Sequence, residues 1–184
     1  MSYKIELDLF HNCEARGDRN TVDAPFLSKE KDQWLSQGYY FWTDDAFYAK
    51  KWGKGKRYVY QFKYIIDREY VLDLVGSVRD QLAFIEEYLA TYDILIKSVP
   101  ALKKYQHQDI AVGVIIEILR RYGEFPYHAI KAYDITYKSA QTFPYIGGRP
   151  EKAVIPTRQQ IVIFENFLTD DLKQSKQFLC EVEV

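Results

Sequence analysis

The sequence predicts an α+β fold, with a mostly antiparallel sheet and a two-helix insertion. Segments in which apolar and polar residues alternate predict strands near both ends of the chain and in its middle. Two longer segments, 77–97 and 108–122, instead repeat their apolar residues at helical spacing. Because the strand segments do not alternate regularly with helices, we expect antiparallel rather than parallel pairing.

The individual elements follow from these patterns and from turn residues. Strands are predicted at 4–12, 39–43, 57–66, 129–137 and 158–165, with a further extended segment at 69–76. Helices are predicted from Ser28 to Gly38, from a cap at Thr43 or Asp44 to Gly53, and over the two insertion segments, joined through Pro100. The remaining segments, 13–25, 141–157 and the charged tail after residue 165, are predicted to be loops or irregular.

Four consecutive aromatic residues, Tyr39 to Trp42, form most of the second predicted strand. Side chains alternate between the two faces of a strand, so Tyr39 and Phe41 lie opposite to Tyr40 and Trp42. We expect Tyr39 and Phe41 to belong to the core. Tyr40 and Trp42 are then available to a second environment on the other face.

Length and composition predict one domain over residues 1–184, with the helical insertion at about 77–122. The 25 basic and 26 acidic residues nearly cancel, so the total charge implies no strongly charged partner. Cys13 and Cys180 are too few for a disulfide framework, which favours a reducing, cytoplasmic environment. The first ten residues do not have the pattern of a signal peptide, and no apolar run reaches the ~18 residues of a membrane span.

Three short motifs occur in order along the chain. The first strand ends in Leu-Phe-His-Asn at 9–12, and the second begins Gly-Tyr-Tyr at 38–40 and is followed by Thr-Asp and alanine-spaced residues. The last strand begins Gln-Gln-Ile-Val-Ile at 159–163. Together they resemble the His–Tyr–Glu branch of the ADP-ribosyltransferase superfamily, which includes poly-ADP-ribose polymerases and diphtheria-type toxins. The resemblance spans residues 9–164 and implies a split, mostly antiparallel sheet.

The resemblance implies that NAD+ is the substrate and that no metal takes part. His11 is expected to hydrogen-bond a ribose hydroxyl, and the backbone of Asn12 to hold the nicotinamide carboxamide. Tyr40 is expected to stack on the nicotinamide ring, where stacking and cation–π attraction contribute about 0.5–2 kcal/mol per face. Trp52, rather than Lys51, is the expected second face.

The third catalytic position departs from the family, because Gln159 stands where the family has glutamate. A glutamine donates and accepts hydrogen bonds but carries no charge to oppose an oxocarbenium ion. Glu165, on the same predicted strand, is about 20 Å away along it, and Glu151 lies in the predicted loop. The resemblance therefore favours transfer of a single ADP-ribose to an unknown protein or nucleic-acid acceptor, or hydrolysis of NAD+, over chain elongation.

Two alternatives stay open at this stage. The first is a catalytically silent module that binds NAD+ or ADP-ribose, which the glutamine favours. The second is transfer of an RNA 2′-phosphate onto NAD+, a chemistry of related enzymes. Small single-domain relatives often act as toxins or effectors, so that role is a further expectation, together with a bacterial or phage source. The basic run at 50–57 is either a solvated surface or a contact for pyrophosphate or nucleic acid. Isolated His107 and His128 predict no metal site.

Overall fold

A computed structural model describes residues 3–30, 33–98, 111–122, 125–134, 140–144, 150–154 and 157–184. Its strands are β1 Lys4–Glu14, β2 Tyr39–Thr43, β3 Lys56–Asp67, β4 Val71–Asp73, β5 Ala129–Tyr133, β6 Ala140–Pro144, β7 Pro150–Val154, β8 Gln159–Ile163 and β9 Gln177–Glu183. The helices of the described residues are α1 Phe47–Lys50, α2 Val78–Ser98, α3 Val112–Tyr122 and α4 Asp170–Gln174.

Seven strands form the main sheet, in the order β4-β5-β8-β2-β1-β3-β9. Every neighbouring pair is antiparallel except β4 and β5, which are parallel. The predicted α+β class with a mostly antiparallel sheet is therefore confirmed. The last strand of the resemblance, β8, lies beside β2, although more than 110 residues separate them in the chain.

The alternation of the aromatic strand β2 explains how the core is divided. Phe41 is 1% exposed and belongs to a cluster on one face with Leu9 and Phe62, and Tyr39 packs against the same cluster. Tyr40 packs on the other face, against a cluster that includes buried residues from β5, β8 and α3. Trp42 belongs to a third cluster, with side chains from β1, β3 and α1. The expectation that these two residues belong to the core is confirmed for Phe41, whereas Tyr39 is only half-buried.

The predicted helix from Ser28 to Gly38 is wrong. Ser28 and Gly38 instead pair as an antiparallel bridge, with backbone N–H to carbonyl distances of 2.9 and 3.2 Å. Ser36 has a φ of +74°, in the left-handed region that a helix does not use. Leu35 is 1% exposed, so burial of this side chain under α3 accompanies the departure from helical geometry.

The helix α1 is shorter than predicted. It begins after Ala46 rather than at a Thr43 or Asp44 cap, and the carboxylate of Asp45 accepts the N–H of Phe47 at 2.6 Å. Gly53, the predicted end of the helix, has a φ of +96° in the turn that leads to β3.

Two segments predicted to be irregular contain regular structure. The segment 141–157 contributes β6 and β7, which form a separate antiparallel hairpin. The tail contains α4 and the edge strand β9, where half-buried side chains alternate with exposed ones. Both helices of the predicted insertion are present as α2 and α3, and Pro100 lies outside the described residues. None of the helices in the described part of the chain has both the length and the apolar character needed to cross a bilayer.

Candidate functional site

A cavity of about 360 Å³ opens where β1 and β2 diverge, within the size range of small-molecule sites, about 300–1,000 Å³. Its wall combines both strands, the segments that precede β2 and follow α1, and the facing ends of β5 and β8. The lining residues are His11, Asn12, Phe26, Ser28, Gln33, Trp34, Tyr40, Trp42, Trp52, Asp134 and Gln160. We call this the site cavity. It brings together His11, Asn12, Tyr40 and Trp52, four of the five residues that the sequence singles out.

The divergence of β1 and β2 exposes backbone groups to the site cavity. Among the described residues, the two strands pair at Leu9–Thr43 and Phe10–Trp42, whereas β1 continues along β3 as far as Glu14. Backbone groups of successive residues point to opposite edges of a strand. In β1 the groups of the even-numbered residues face β2, because the carbonyl of Asp8 accepts the N–H of Asp44. The N–H and carbonyl of Asn12 therefore face the opening between the strands.

His11 bridges the two strands at the point where they separate. Its Nδ1 lies 2.9 Å from the carbonyl oxygen of Tyr40, which only accepts hydrogen bonds, so Nδ1 carries the proton. In the neutral ring Nε2 is then an acceptor, and it is buried without a hydrogen-bond partner among the described residues. The rings of Phe26 and Phe41 pack against the imidazole in T-shaped arrangements, at centroid distances of 4.6 and 5.7 Å.

The burial of His11 predicts a pH dependence of stability. Burial lowers the pKa of this imidazole to about 4, from its ordinary value of 6.5, and the nearby Arg57 guanidinium acts in the same direction. The unfolded chain takes up the proton first, so folding loses stability as the pH falls through 6.5, and the loss levels off below about pH 4. We expect His11 to account for about 3 kcal/mol of the decrease between pH 7.5 and pH 4.

Urea denaturation of the wild type and of His11→Gln at the two pH values measures this contribution. The variant removes the titration, so its stability should fall by about 3 kcal/mol less than that of the wild type. Equal decreases in both proteins would show that the imidazole does not carry the effect.

The side-chain amide of Asn12 makes its hydrogen bonds within the protein rather than towards the site cavity. Its amide nitrogen donates to the carbonyl of Ala49 at 2.7 Å, and its amide oxygen accepts from Nε of Arg57 at 2.7 Å. The asparagine therefore ties β1 to α1 and β3, with 5% of its surface exposed. Its backbone is left to face the cavity.

The hydroxyl of Tyr40 is fixed by the segment that precedes β2. It donates to the carbonyl of Ser36 at 2.7 Å and accepts the N–H of Leu35 at 3.1 Å. Burial raises the pKa of this hydroxyl well above its ordinary value, so it stays protonated. These bonds leave the ring, rather than the hydroxyl, as the part of Tyr40 that a ligand can use.

Trp52 lines the site cavity and is 46% exposed, while the ammonium of Lys51 lies over the ring of Phe47 instead. The ring centroid of Trp52 is 5.5 Å from that of Trp42, and the two ring planes meet at an angle of 60°. The guanidinium of Arg158 lies 4.8 Å from the Trp52 ring and forms an ion pair of 2.7 Å with Asp134. The ion-paired guanidinium thus lies against both the buried ring of Trp42, at 5.2 Å, and the exposed ring of Trp52.

Gln159 does not line the site cavity, whereas its neighbour Gln160 does. Gln159 faces the opposite side of β8, and its amide nitrogen bonds the hydroxyl of Thr157 at 2.8 Å. Gln160 is 7% exposed, lies opposite Trp42 in the register, and its amide oxygen accepts the indole N–H of Trp34 at 3.0 Å. The structure therefore offers Gln160 at the position for which the sequence suggests Gln159.

Only one of the two acids considered as replacements for the family's glutamate has a described side chain, and it does not line the site cavity. Glu165 lines a different cavity, next to Tyr39 and Lys173. The side chain of Glu151 lies outside the described parts of the structure. Asp134 is the one carboxylate among the described residues of the site cavity, and it faces Arg158.

Phe26, Trp34, Asp134 and Gln160 are lining residues that the sequence does not single out as site candidates. Trp34 falls in the predicted helix that does not form, and Phe26 precedes that segment in the chain. Gln160 is visible as the second glutamine of the QQIVI motif. In the described residues, no cluster of three or more His, Cys, Asp or Glu side chains is arranged to hold a metal ion.

Comparison of the chain with protein-family models, with curated proteins and with solved structures found no match. Its function is therefore inferred from the site cavity and the side chains that line it.

Proposed function

We propose that the chain binds NAD+ in the site cavity and breaks its nicotinamide–ribose bond, as an ADP-ribosyltransferase or an NAD+ glycohydrolase. The observation that carries the proposal is the buried imidazole of His11 at the divergence of β1 and β2. Its Nε2 acceptor has no protein partner among the described residues, and the backbone of Asn12 and two aromatic side chains share its cavity. The brief pairing of β1 and β2 supports the split sheet that the resemblance implies.

Each lining group has a role that its chemistry allows. The N–H and carbonyl of Asn12 pair with the carboxamide of nicotinamide, which presents one acceptor and two donors. Tyr40 and Trp52 supply faces for the flat pyridinium ring. Nε2 of His11 accepts a hydrogen bond from a ribose hydroxyl, and Phe26, which is 44% exposed, turns aside to admit it.

The pyrophosphate extends into an adjoining cavity that shares Phe26 with the site cavity. Arg16 and Arg57 line this second space, of about 480 Å³, together with the carboxylates of Glu14 and Asp23. The Arg57 guanidinium also bonds the side chain of Asn12, so the cation sits beside the residue that holds the carboxamide. Arginine is well suited to phosphate because it presents several donors in a fixed plane.

In the reaction, the bond between the ribose C1′ and the nicotinamide nitrogen breaks, and its electron pair neutralises the pyridinium. The remaining oxocarbenium ion is captured by water or by an acceptor nucleophile, which then loses a proton. Gln160 orients the ribose through its amide but supplies no negative charge. We therefore propose transfer of one ADP-ribose or hydrolysis, at a rate limited by the weak stabilisation of positive charge.

A second candidate is a module that binds NAD+ or ADP-ribose without reaction. The pairing of Asp134 with Arg158 favours it, because the one carboxylate among the described lining residues is offset by a cation 2.7 Å away. Binding without release of nicotinamide would support this candidate over the enzyme.

Calorimetric titration with NAD+ up to millimolar concentration, together with measurement of free nicotinamide, tests the proposal. We expect saturable binding by the wild type. His11→Ala should weaken binding by about 10-fold to 100-fold, the equivalent of 1–3 kcal/mol for a lost buried hydrogen bond.

His128→Ala is the matched control. This second histidine lies outside the site cavity, stacked between Tyr70 and Phe167 at centroid distances of 4.2 and 3.7 Å. Its replacement should leave the affinity for NAD+ unchanged in the folded protein. Absence of saturable binding by the wild type would refute the proposed function.

A further inference from the structure

The helix α3 packs behind the wall of the site cavity. The segment 33–37, which precedes β2, supplies Gln33 and Trp34 to the cavity and holds the hydroxyl of Tyr40 through Leu35 and Ser36. On its other side this segment contacts α3, and Leu35 shares a buried cluster with Ile116 of that helix. The segment is thus enclosed between the cavity and α3.

Gly113 allows the backbone of α3 to approach the segment 33–37 closely. A Cβ atom at this position would lie 2.1 Å from the carbonyl oxygen of Gln33 and 3.0 Å from the backbone nitrogen of Ser36. Both neighbours are backbone atoms, which cannot rotate away as a flexible side chain can. The position of the segment 33–37 therefore depends on the absence of a side chain at Gly113.

Polar contacts fix the same segment further along the helix. The hydroxyl of Ser36 donates to the carboxylate of Glu117 at 2.6 Å and accepts from the guanidinium of Arg120 at 3.0 Å. The same guanidinium lies 3.9 Å from the ring centroid of Phe164, at the end of β8. Glu117 and Arg120 also pair with each other at 3.1 Å, so the segment, the helix and β8 form one connected group.

We propose that α3 is a positioning element of the site cavity, with Gly113, Glu117 and Arg120 as its positioning residues. Through the segment 33–37 they set the place of Trp34, whose indole N–H holds the amide of Gln160. Displacement of α3 is transmitted along this path to the ribose-facing side of the cavity. The effect on NAD+ rests on the proposed function, whereas the effect on Trp34 does not.

Gly113→Ala tests the path because two physical effects oppose each other at this position. Alanine favours a helix more than glycine does, so an independent α3 would become more stable. The added Cβ instead collides with the backbone of Gln33 and displaces the segment. We expect the variant to remain folded, to shift the indole ¹⁵N–¹H resonance of Trp34 and to bind NAD+ about tenfold more weakly.

Two-dimensional NMR of the ligand-free protein provides the readout, with the indole resonances assigned by Trp→Phe variants. The resonance of Trp52, on the far rim, should move much less than that of Trp34. Val112→Ala, one residue earlier in the same helix and at a 38% exposed position, is the matched control and should leave Trp34 in place.

Glu117→Gln decides the matter if Gly113→Ala fails to fold. It keeps the shape of the side chain but weakens its bond to Ser36, and we expect the Trp34 resonance to shift. Glu87→Gln, on the exposed face of α2, is its control. An unchanged Trp34 resonance in the folded variants would overturn the proposal. Absence of NAD+ binding by the wild type would overturn only the proposed function, because the Trp34 resonance is measured without ligand.

Discussion

Replacing Gln160 with glutamate is expected to raise the rate of nicotinamide release by about 100-fold, because in the proposed reaction it adds a negative charge where positive charge develops on the ribose. The side chain faces the site cavity and is 7% exposed, so solvent screens the new charge little. The indole N–H of Trp34, which donates to the glutamine oxygen at 3.0 Å, can donate to a carboxylate as well. The measurement is chromatographic detection of nicotinamide at saturating NAD+.

Gln159→Glu is a closely matched control for this prediction. The two glutamines are adjacent on β8 and undergo the same chemical change, but Gln159 faces the opposite side of the strand and bonds Thr157. We expect its variant to release nicotinamide at the wild-type rate. A gain in Gln159→Glu alone would assign the catalytic position to Gln159, and no gain in either variant would favour the silent binding module.

Asp134→Ala is expected to lower the free energy of unfolding by about 3–5 kcal/mol. The ion pair with Arg158 is 2.7 Å long, and both side chains are 12% exposed. Removal of the carboxylate leaves the guanidinium in a largely buried place, over the rings of Trp42 and Trp52. Urea denaturation at neutral pH measures the loss.

An exposed ion pair of equal length serves as the control. Glu6 and Lys63 are also 2.7 Å apart, but their side chains are more than half exposed. Glu6→Ala should cost only about 0–1 kcal/mol. The double variant Asp134→Ala, Arg158→Met should recover part of the loss, because it removes the uncompensated charge. Similar losses in Asp134→Ala and Glu6→Ala would mean that burial does not strengthen the inner pair.

The long strands are predictable because their pattern is local. In β3 the alternating side chains Tyr60, Phe62 and Tyr64 are all buried on one face, and the two-residue period is visible in the sequence itself. The same alternation places Phe41 in the core and Tyr39 against the same cluster. Strand β9 has the alternation too, with Phe178 and Cys180 half buried, but the residue between them, Leu179, is apolar and 40% exposed, so the period is not visible in the sequence.

The segment 28–38 escapes prediction because its structure depends on distant residues. Its composition suits a helix, whereas burial of Leu35 under α3 and the left-handed Ser36 fix the conformation that forms. The propensities of residues 28–38 carry no information about Gly113, which lies about eighty residues later in the chain and packs against this segment. Tertiary packing therefore outweighs propensity here.

Local patterns in the chain are sufficient for the class of the fold and for the faces of the aromatic strand, and the resemblance of three short motifs suggests His11, Asn12, Tyr40 and Trp52 as candidates. Tertiary contacts alone establish that these residues share a cavity, that Gln160 rather than Gln159 lines it, and that Trp34, Asp134 and Phe26 complete it. Periodicity is a property of residues that are close together in the sequence. A cavity instead depends on contacts between segments that are far apart in the sequence. On a strand, a shift of one residue reverses the face, so the choice between the two glutamines depends on the register with β2.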